Sequence, residues 1–335
     1  LFYGIRQLPK ELAPEQKLLM QWMVMAEMIR KQNIKLFQDS VKVCKNFENK
    51  GFANCILKGQ GNALLYPDPY MRTPGDIDIY LAGGRRKIMK YVDQVCPNQV
   101  MRYHHVDFPV MKTAIEVHFT PSYMFCPIHN RRMQKWFEEV MGEQCNHRVS
   151  LPDGYGEIHV PQVSFNVIYI LSHLYRHIFT EGIGLRQLLD YYFVLVKWHT
   201  DLTNLTDSNK SLPQMTQINT DLDTLRHELK YLGLWKFAQA VMYVLHEVFG
   251  LSEDRMIAPM DEKEGRFLLD EIVRGGNFGQ YDDRMGSKVG ESKIHRYFRM
   301  NLRNLRFVKH YPTEALSEPL FRTWFAVWKK IHGIK

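Results

Sequence analysis

Leu57 to Asp78 reads LKGQGNALLYPDPYMRTPGDID, and the rest of the chain can be ordered around it. An apolar run, Ala53, Cys55, Ile56 and Leu57, closes on Lys58-Gly59-Gln60-Gly61. A helix-like segment follows, then an irregular connection set by Pro67, Pro69 and Pro74, whose rings fix φ and remove N–H donors. Gly75 leads into Asp76-Ile77-Asp78-Ile79, which alternates with the period of a strand. Asp76 and Asp78 then share one side while the isoleucines enter the core. Two carboxylates so placed repel each other unless a cation lies between them. Mg²⁺, or Mn²⁺ in its place, suits the pair because it takes oxygen ligands and keeps positions for water and substrate phosphates. The glycines after Lys58 let backbone approach a ligand, and a helix starting there aims free N–H groups at an anion.

Downstream, Gly83-Gly84 starts a turn and Arg85 to Val95 reads as a basic amphipathic helix. Strands are expected over Arg102 to Phe108 and Lys112 to Thr120. In the second, Ile115, Val117 and Phe119 take one face and Glu116 and His118 the other. Glu116 is the third candidate ligand, reached from the aspartates by a short strand–helix–strand path. His104-His105 are expected as surface or supporting groups. A helix over Trp136 to Met141 and a last short strand over Ile158 to Val160 complete this part.

Upstream, apolar spacing predicts one helix over Leu12 to Ile29 and another over Asn33 to Phe47, stopped at Gly51. After Pro161 helical spacing takes over. Helices are expected over 163–179, 185–198, 222–232, 235–249, 262–274, 294–307 and 319–331. Thr200 to Thr220 reads as a polar loop, and Arg274 to Gly290 as a flexible Gly-rich segment. Arg186 and Asp190 lie four apart on one helix and can face the same way, as can His173 and His177. A zinc reading of that His pair fails, because Leu174 stands where the metalloprotease motif has Glu. His118, His173 and His177 are kept as cleft residues.

The chain has 335 residues, 45% hydrophobic and 24% charged, with 19 Phe and 17 Tyr, enough for about two domains. No apolar run reaches the ~18–20 residues of a membrane span. No signal peptide is read at the start, and Leu1, not a natural initiator, leaves room for a trimmed leader. Five scattered cysteines, none in a Cys-x-x-Cys pair, point to free thiols and a cytoplasmic protein. From Arg284 to Lys335 twelve Lys and Arg stand against three acids, a surplus of nine that exceeds the net charge of +8 for the whole chain. Such a surplus attracts polyanions; a solvated helix face is the plain alternative.

Three carboxylates beside a glycine-containing anion cradle point to metal-assisted phosphoryl or nucleotidyl transfer. At these residues the chain resembles the polymerase-beta-type nucleotidyltransferase superfamily, most of all its uncharacterised nucleotidyltransferase branch, and is similar to abortive-infection toxin nucleotidyltransferases. The shared pattern is Leu57-Lys58-Gly59, then Arg72 and Gly75-Asp76-Ile77-Asp78, then Glu116-Val117-His118. It covers Gly51 to Phe119, and more loosely residues 172–177 and 185–190.

The resemblance implies an α+β fold: a small mixed sheet with flanking helices, followed by an all-helical domain. The expected division is N-terminal helices packed on the core (1–50), a nucleotidyltransferase core (51–160) and a helical domain with a basic tail (161–335). Asp76, Asp78 and Glu116 would be the metal-holding catalytic set. Lys58, Gly59, Arg72, Arg186 and Asp190 would bind nucleotide and phosphate. The substrate would be an NTP, ATP among the four, and the acceptor an RNA, a protein or a small hydroxyl compound. Gly59-Gln60-Gly61 stands where the superfamily carries Gly-Ser, so no hydroxyl faces the phosphates there. Hence a second reading: an inactive nucleotide- or RNA-binding protein on the same frame. A third, a toxin of a paired growth-control system, rests on the likeness alone.

Overall fold

The computed structural model of the chain describes residues 2–5, 7–208, 214–276 and 292–334. After a short turn of helix, α1 (Phe2–Ile5), comes α2 (Gln16–Asn49), a single helix of 34 residues. Two helices were expected here. Arg30-Lys31-Gln32 contains no Gly or Pro to break the hydrogen-bond ladder, so the polar stretch only rotates out of the core. The two halves differ in surroundings. Met20, Met23, Val24, Met25 and Met28 are exposed, whereas Leu36, Phe37, Val43 and Phe47 are buried.

The sheet follows: β1 (Asn54–Leu57), helix α3 (Gly59–Ala63), β2 (Ile77–Leu81), helix α4 (Gly84–Val95), β3 (His105–Asp107) and β4 (Ile115–His118). The strand order is β1-β2-β4-β3. β2 runs antiparallel to β1 and parallel to β4, and β3 runs antiparallel to β4. The sheet is therefore mixed, as expected, although β3 and β4 are shorter than their alternation suggested. Ile77, Ile79, Leu81, Ile115 and Val117 turn to one face and pack with Phe37 and Phe47 of α2 and Ile88 and Val92 of α4. Period two then forces Asp78, Glu116 and His118 onto the opposite face.

Helix α5 (Pro127–Gln144) is longer than the expected Trp136–Met141, because Pro127 at its first turn starts it. A hairpin, β5 (Arg148–Ser150) and β6 (Glu157–His159), holds a strand the alternation did not reveal, as only three residues pair. The helices α6 (Val163–Thr180), α7 (Leu185–Ser208), α8 (Gln214–Tyr231), α9 (Trp235–Phe249) and α10 (Glu262–Gly275) follow, and then α11 (Lys293–Val308) and α12 (Pro312–Ile331). The expected loop over 200–220 is helical at 200–208 and from 214, and its residues 209–213 lie outside the described residues. So does the expected flexible segment beyond 276. α12 begins at Pro312, with Pro319 inside it rather than at its start.

Buried aromatics join these helices into one cluster around Tyr169, Tyr191, Phe179 and Phe237. Part of the basic surplus of the C-terminal segment is used for packing. Buried Arg303 donates to the carbonyls of Ile178 and Phe179, and Arg306 pairs with Glu271. α12 lies against the sheet's β3 side: Phe321 and Phe325 pack on Tyr103, and Arg85 lies over Trp328. Among the described residues no helix is long and apolar enough to cross a membrane. The five cysteines carry free thiols.

Candidate active site

β2 and β4 pair with Asp78 opposite Glu116, so two carboxylates stand side by side on one face. Asp76 lies two residues earlier, exposed, and lines the same cleft. Lys58 follows the last residue of β1. Its backbone is left-handed (φ 52°), an uncommon and costly state for a residue with a Cβ, of the kind that collects at functional sites. That turn carries its Nζ to 3.0 Å from Asp78 Oδ2 and 3.2 Å from His173 Nε2. His118 Nε2 stands 2.9 Å from Asp78 Oδ1 and 3.6 Å from Glu116 Oε2.

Electrostatics separate the two aspartates. Burial alone would push the Asp78 carboxyl up, but Lys58 and His118 outweigh it and hold it well below the usual carboxylate range. Asp76, though its side chain reaches solvent, is pushed up to about 6, first by the negative charge of Asp78 and then by the desolvation of its place in the cleft. His118 is buried, which would lower it, yet its contacts with Asp78 and Glu116 raise it above the usual histidine value. Two acids sharing one space push their pKa values apart in this way.

A wall of imidazoles surrounds the carboxylates. His105 lies opposite His118 across the β3–β4 pair and reaches Glu116 at 3.3 Å. His104 Nε2 lies 3.2 Å from His105 Nδ1. Both are buried, so of the two expected places, surface or supporting, the surface one is ruled out. Burial drives His105 down to about 2 and His104 well below the ordinary value. From α6, Arg176 Nη2 donates to His177 Nε2 at 3.0 Å, and burial holds His177 down to about 4. Burial and Lys58 keep His173 neutral in the same way. Among the imidazoles of this wall His118 is the one raised, because it touches two carboxylates.

These groups open on a cleft of about 740 Å³, whose far side is Arg296, Tyr297, Arg322, Phe325 and Lys329 of α11 and α12. A smaller pocket of about 70 Å³ joins Lys58, Gly59, Asp76 and Asp78 to Arg72, Arg186 and Asp190. Arg72 and Asp190 are bonded to each other: Nε to Oδ1 at 2.9 Å and Nη2 to Oδ2 at 2.7 Å, with the Tyr66 hydroxyl donating to Oδ1 at 2.6 Å. Arg186 reaches the carbonyl of Pro74 at 3.5 Å. Every residue singled out in the sequence thus lines one of two joined spaces. His104, His105 and Arg176 are the neighbours that sequence reasoning undervalued. The repeated His-His and the Arg between two histidines were the available signals.

Three of these groups stand close enough together to hold one metal ion. Asp78, Glu116 and His118 offer ligand atoms all within 4.8 Å of one another. Each Asp78 oxygen accepts one hydrogen bond and keeps a further lone pair.

No curated protein matches the chain. Among solved structures it is similar to the crystal structure of an antigenic nucleotidyltransferase-like protein from Paracoccidioides brasiliensis. The identity is 14% over 59% of this chain and 92% of that chain, with a TM-score of 0.31, too low to carry an argument. A family model described as "Uncharacterised nucleotidyltransferase" matches residues 1–250, well over half of the chain. With that match and the mixed sheet beneath its acids, the chain belongs to the uncharacterised nucleotidyltransferase family.

Proposed function

We propose that the chain transfers a nucleoside monophosphate from an NTP to a hydroxyl acceptor and releases pyrophosphate. The observation that carries this reading is the register of Asp78 against Glu116, with Asp76 and Lys58 at their edge in one cleft. Asp76, Asp78 and Glu116 would hold Mg²⁺ or Mn²⁺, which when bound neutralises charge on the phosphates and lowers the pKa of a bound hydroxyl. Lys58 and the Gly59 backbone hold the triphosphate. Arg186 flanks it, and the Arg72–Asp190 pair keeps the pocket in shape. The acceptor oxygen attacks the α-phosphorus, the bond from that phosphorus to the bridging oxygen breaks, and pyrophosphate leaves. Glu116 takes the acceptor's proton, and His118 and His105 orient Glu116. In this reading residues 51–160 form the catalytic unit, and residues 161–335 wall the cleft.

Purified protein with Mg²⁺ and labelled NTPs is expected to label an acceptor in RNA, protein or small-molecule extracts. Asp76→Ala with Asp78→Ala should abolish the label; labelling that persists sinks the assignment. A binding-only protein is the second reading, favoured by Lys58 and His118 already bonded to the two oxygens of Asp78. Metal-dependent pyrophosphate release would exclude it.

A further inference from the structure

A second cleft, of about 700 Å³, lies on the other side of Lys58. It is bounded by α3, the hairpin β5–β6, the start of α6 and the second half of α7; Asp201 lines it, but Asp76, Asp78 and Glu116 do not. Its volume falls within the range of small-molecule sites. Leu65, Val160 and Trp198 supply apolar wall. Within that wall stand two buried amides. Asn62, only 1% exposed, has no hydrogen-bond partner at Nδ2 or at Oδ1. Asn166, 5% exposed, has none at Oδ1. Buried polar groups are nearly always paired, and a donor and acceptor left open on one side chain call for a partner carrying both.

We propose that this cleft binds an adenine base and that Asn62 reads it. An amide meets adenine with two parallel hydrogen bonds, its oxygen accepting from the exocyclic amine and its nitrogen donating to the neighbouring ring nitrogen. The amine carries a second hydrogen, for which the Asn166 oxygen is an acceptor. Guanine and uracil present a carbonyl where adenine presents that amine; Asn62 can meet it only with its amide turned over, and the Asn166 oxygen is then set against that carbonyl. The apolar side chains of the wall suit the broad face of a purine. Asn62 and Lys58 line both this cleft and the pocket beside the aspartates. A base here is therefore continuous with phosphates there, and the nucleotide used is an adenine nucleotide. That last step rests on the nucleotidyl-transfer reading; the base site itself does not.

The test uses the full chain and four nucleosides, without metal or triphosphate, by titration calorimetry. Adenosine should bind tightest, at least ~10-fold tighter than guanosine or uridine. Asn62→Leu should cost adenosine at least ~10-fold, while its Tm holds or rises because an unpaired amide is replaced by a side chain needing no partner. Asn62→Asp, which keeps the shape and loses the donor, should weaken adenosine in the same direction. Equal affinities, a tighter fit for any other nucleoside, no nucleoside binding by the folded chain, or unchanged binding in Asn62→Leu would each overturn the base site. Should adenosine fail to bind while pyrophosphate release still depends on Asp76 and Asp78, only the base site falls. Adenosine binding without any release would remove the transfer reading and leave the base site standing.

Discussion

Arg72–Asp190 and Lys58–Asp78 are both ion pairs taken out of water, with Arg72 and Asp78 six residues apart in sequence, and they are built differently. The first is a closed unit: a guanidinium fork meets both oxygens and Tyr66 takes a further lone pair. The second is open. Lys58 and His118 each touch one oxygen of Asp78, and the same carboxylate faces the cleft. Planar two-bond pairing fixes geometry, whereas an ammonium is a point charge that can be turned toward another anion. One pair suits holding α7 against the proline-rich connection; the other suits exchange with a ligand.

The largest expected effect breaks the closed pair. Asp190→Ala leaves a buried guanidinium without its partner and should cost ~3–5 kcal/mol in urea unfolding. Lys58→Met should cost less, under ~2 kcal/mol, because His118 still pairs with Asp78. Its activity should fall by ~10–100-fold or more in pyrophosphate release. If the two variants lost equal stability, the distinction between closed and open pairs would be gone. The smallest effect is in pH. His177 is held down to about 4 in the folded chain, against a usual ~6.5 for an exposed histidine. Between those values the unfolded chain binds the proton and the folded chain does not. Stability is therefore whole above the window and declines as pH falls through it, by at most ~1.4 kcal/mol per unit for this group. His177→Gln should flatten that slope between pH 7 and pH 5 without erasing it, since His104 and His173 shift the same way.

What the sequence made legible was whatever period two and period 3.6 control. The alternation at Asp76–Ile79 and at Ile115–Phe119 placed the acids on one face because parity leaves no other choice. The helices after Pro161 were legible for the same reason. Three things were not. The continuity of α2 was hidden, because a polar stretch without Gly or Pro can lie on a helix surface as easily as between helices. His104 and His105 read as surface or supporting groups, with the choice open, because consecutive polar residues in a strand cannot both face the core. His104 precedes β3, which frees it from that rule. The pairing of Arg72 with Asp190 spans 118 positions, and no local pattern encodes a contact at that separation.

Lys58 holds a backbone shape that glycine would adopt at no cost, yet glycine has no amine to set against Asp78. Folding and chemistry therefore ask for different residues at this one position. In a lineage that kept the scaffold and abandoned the reaction, drift to glycine there would be rewarded, which makes this lysine a marker of whether a relative still needs its cleft.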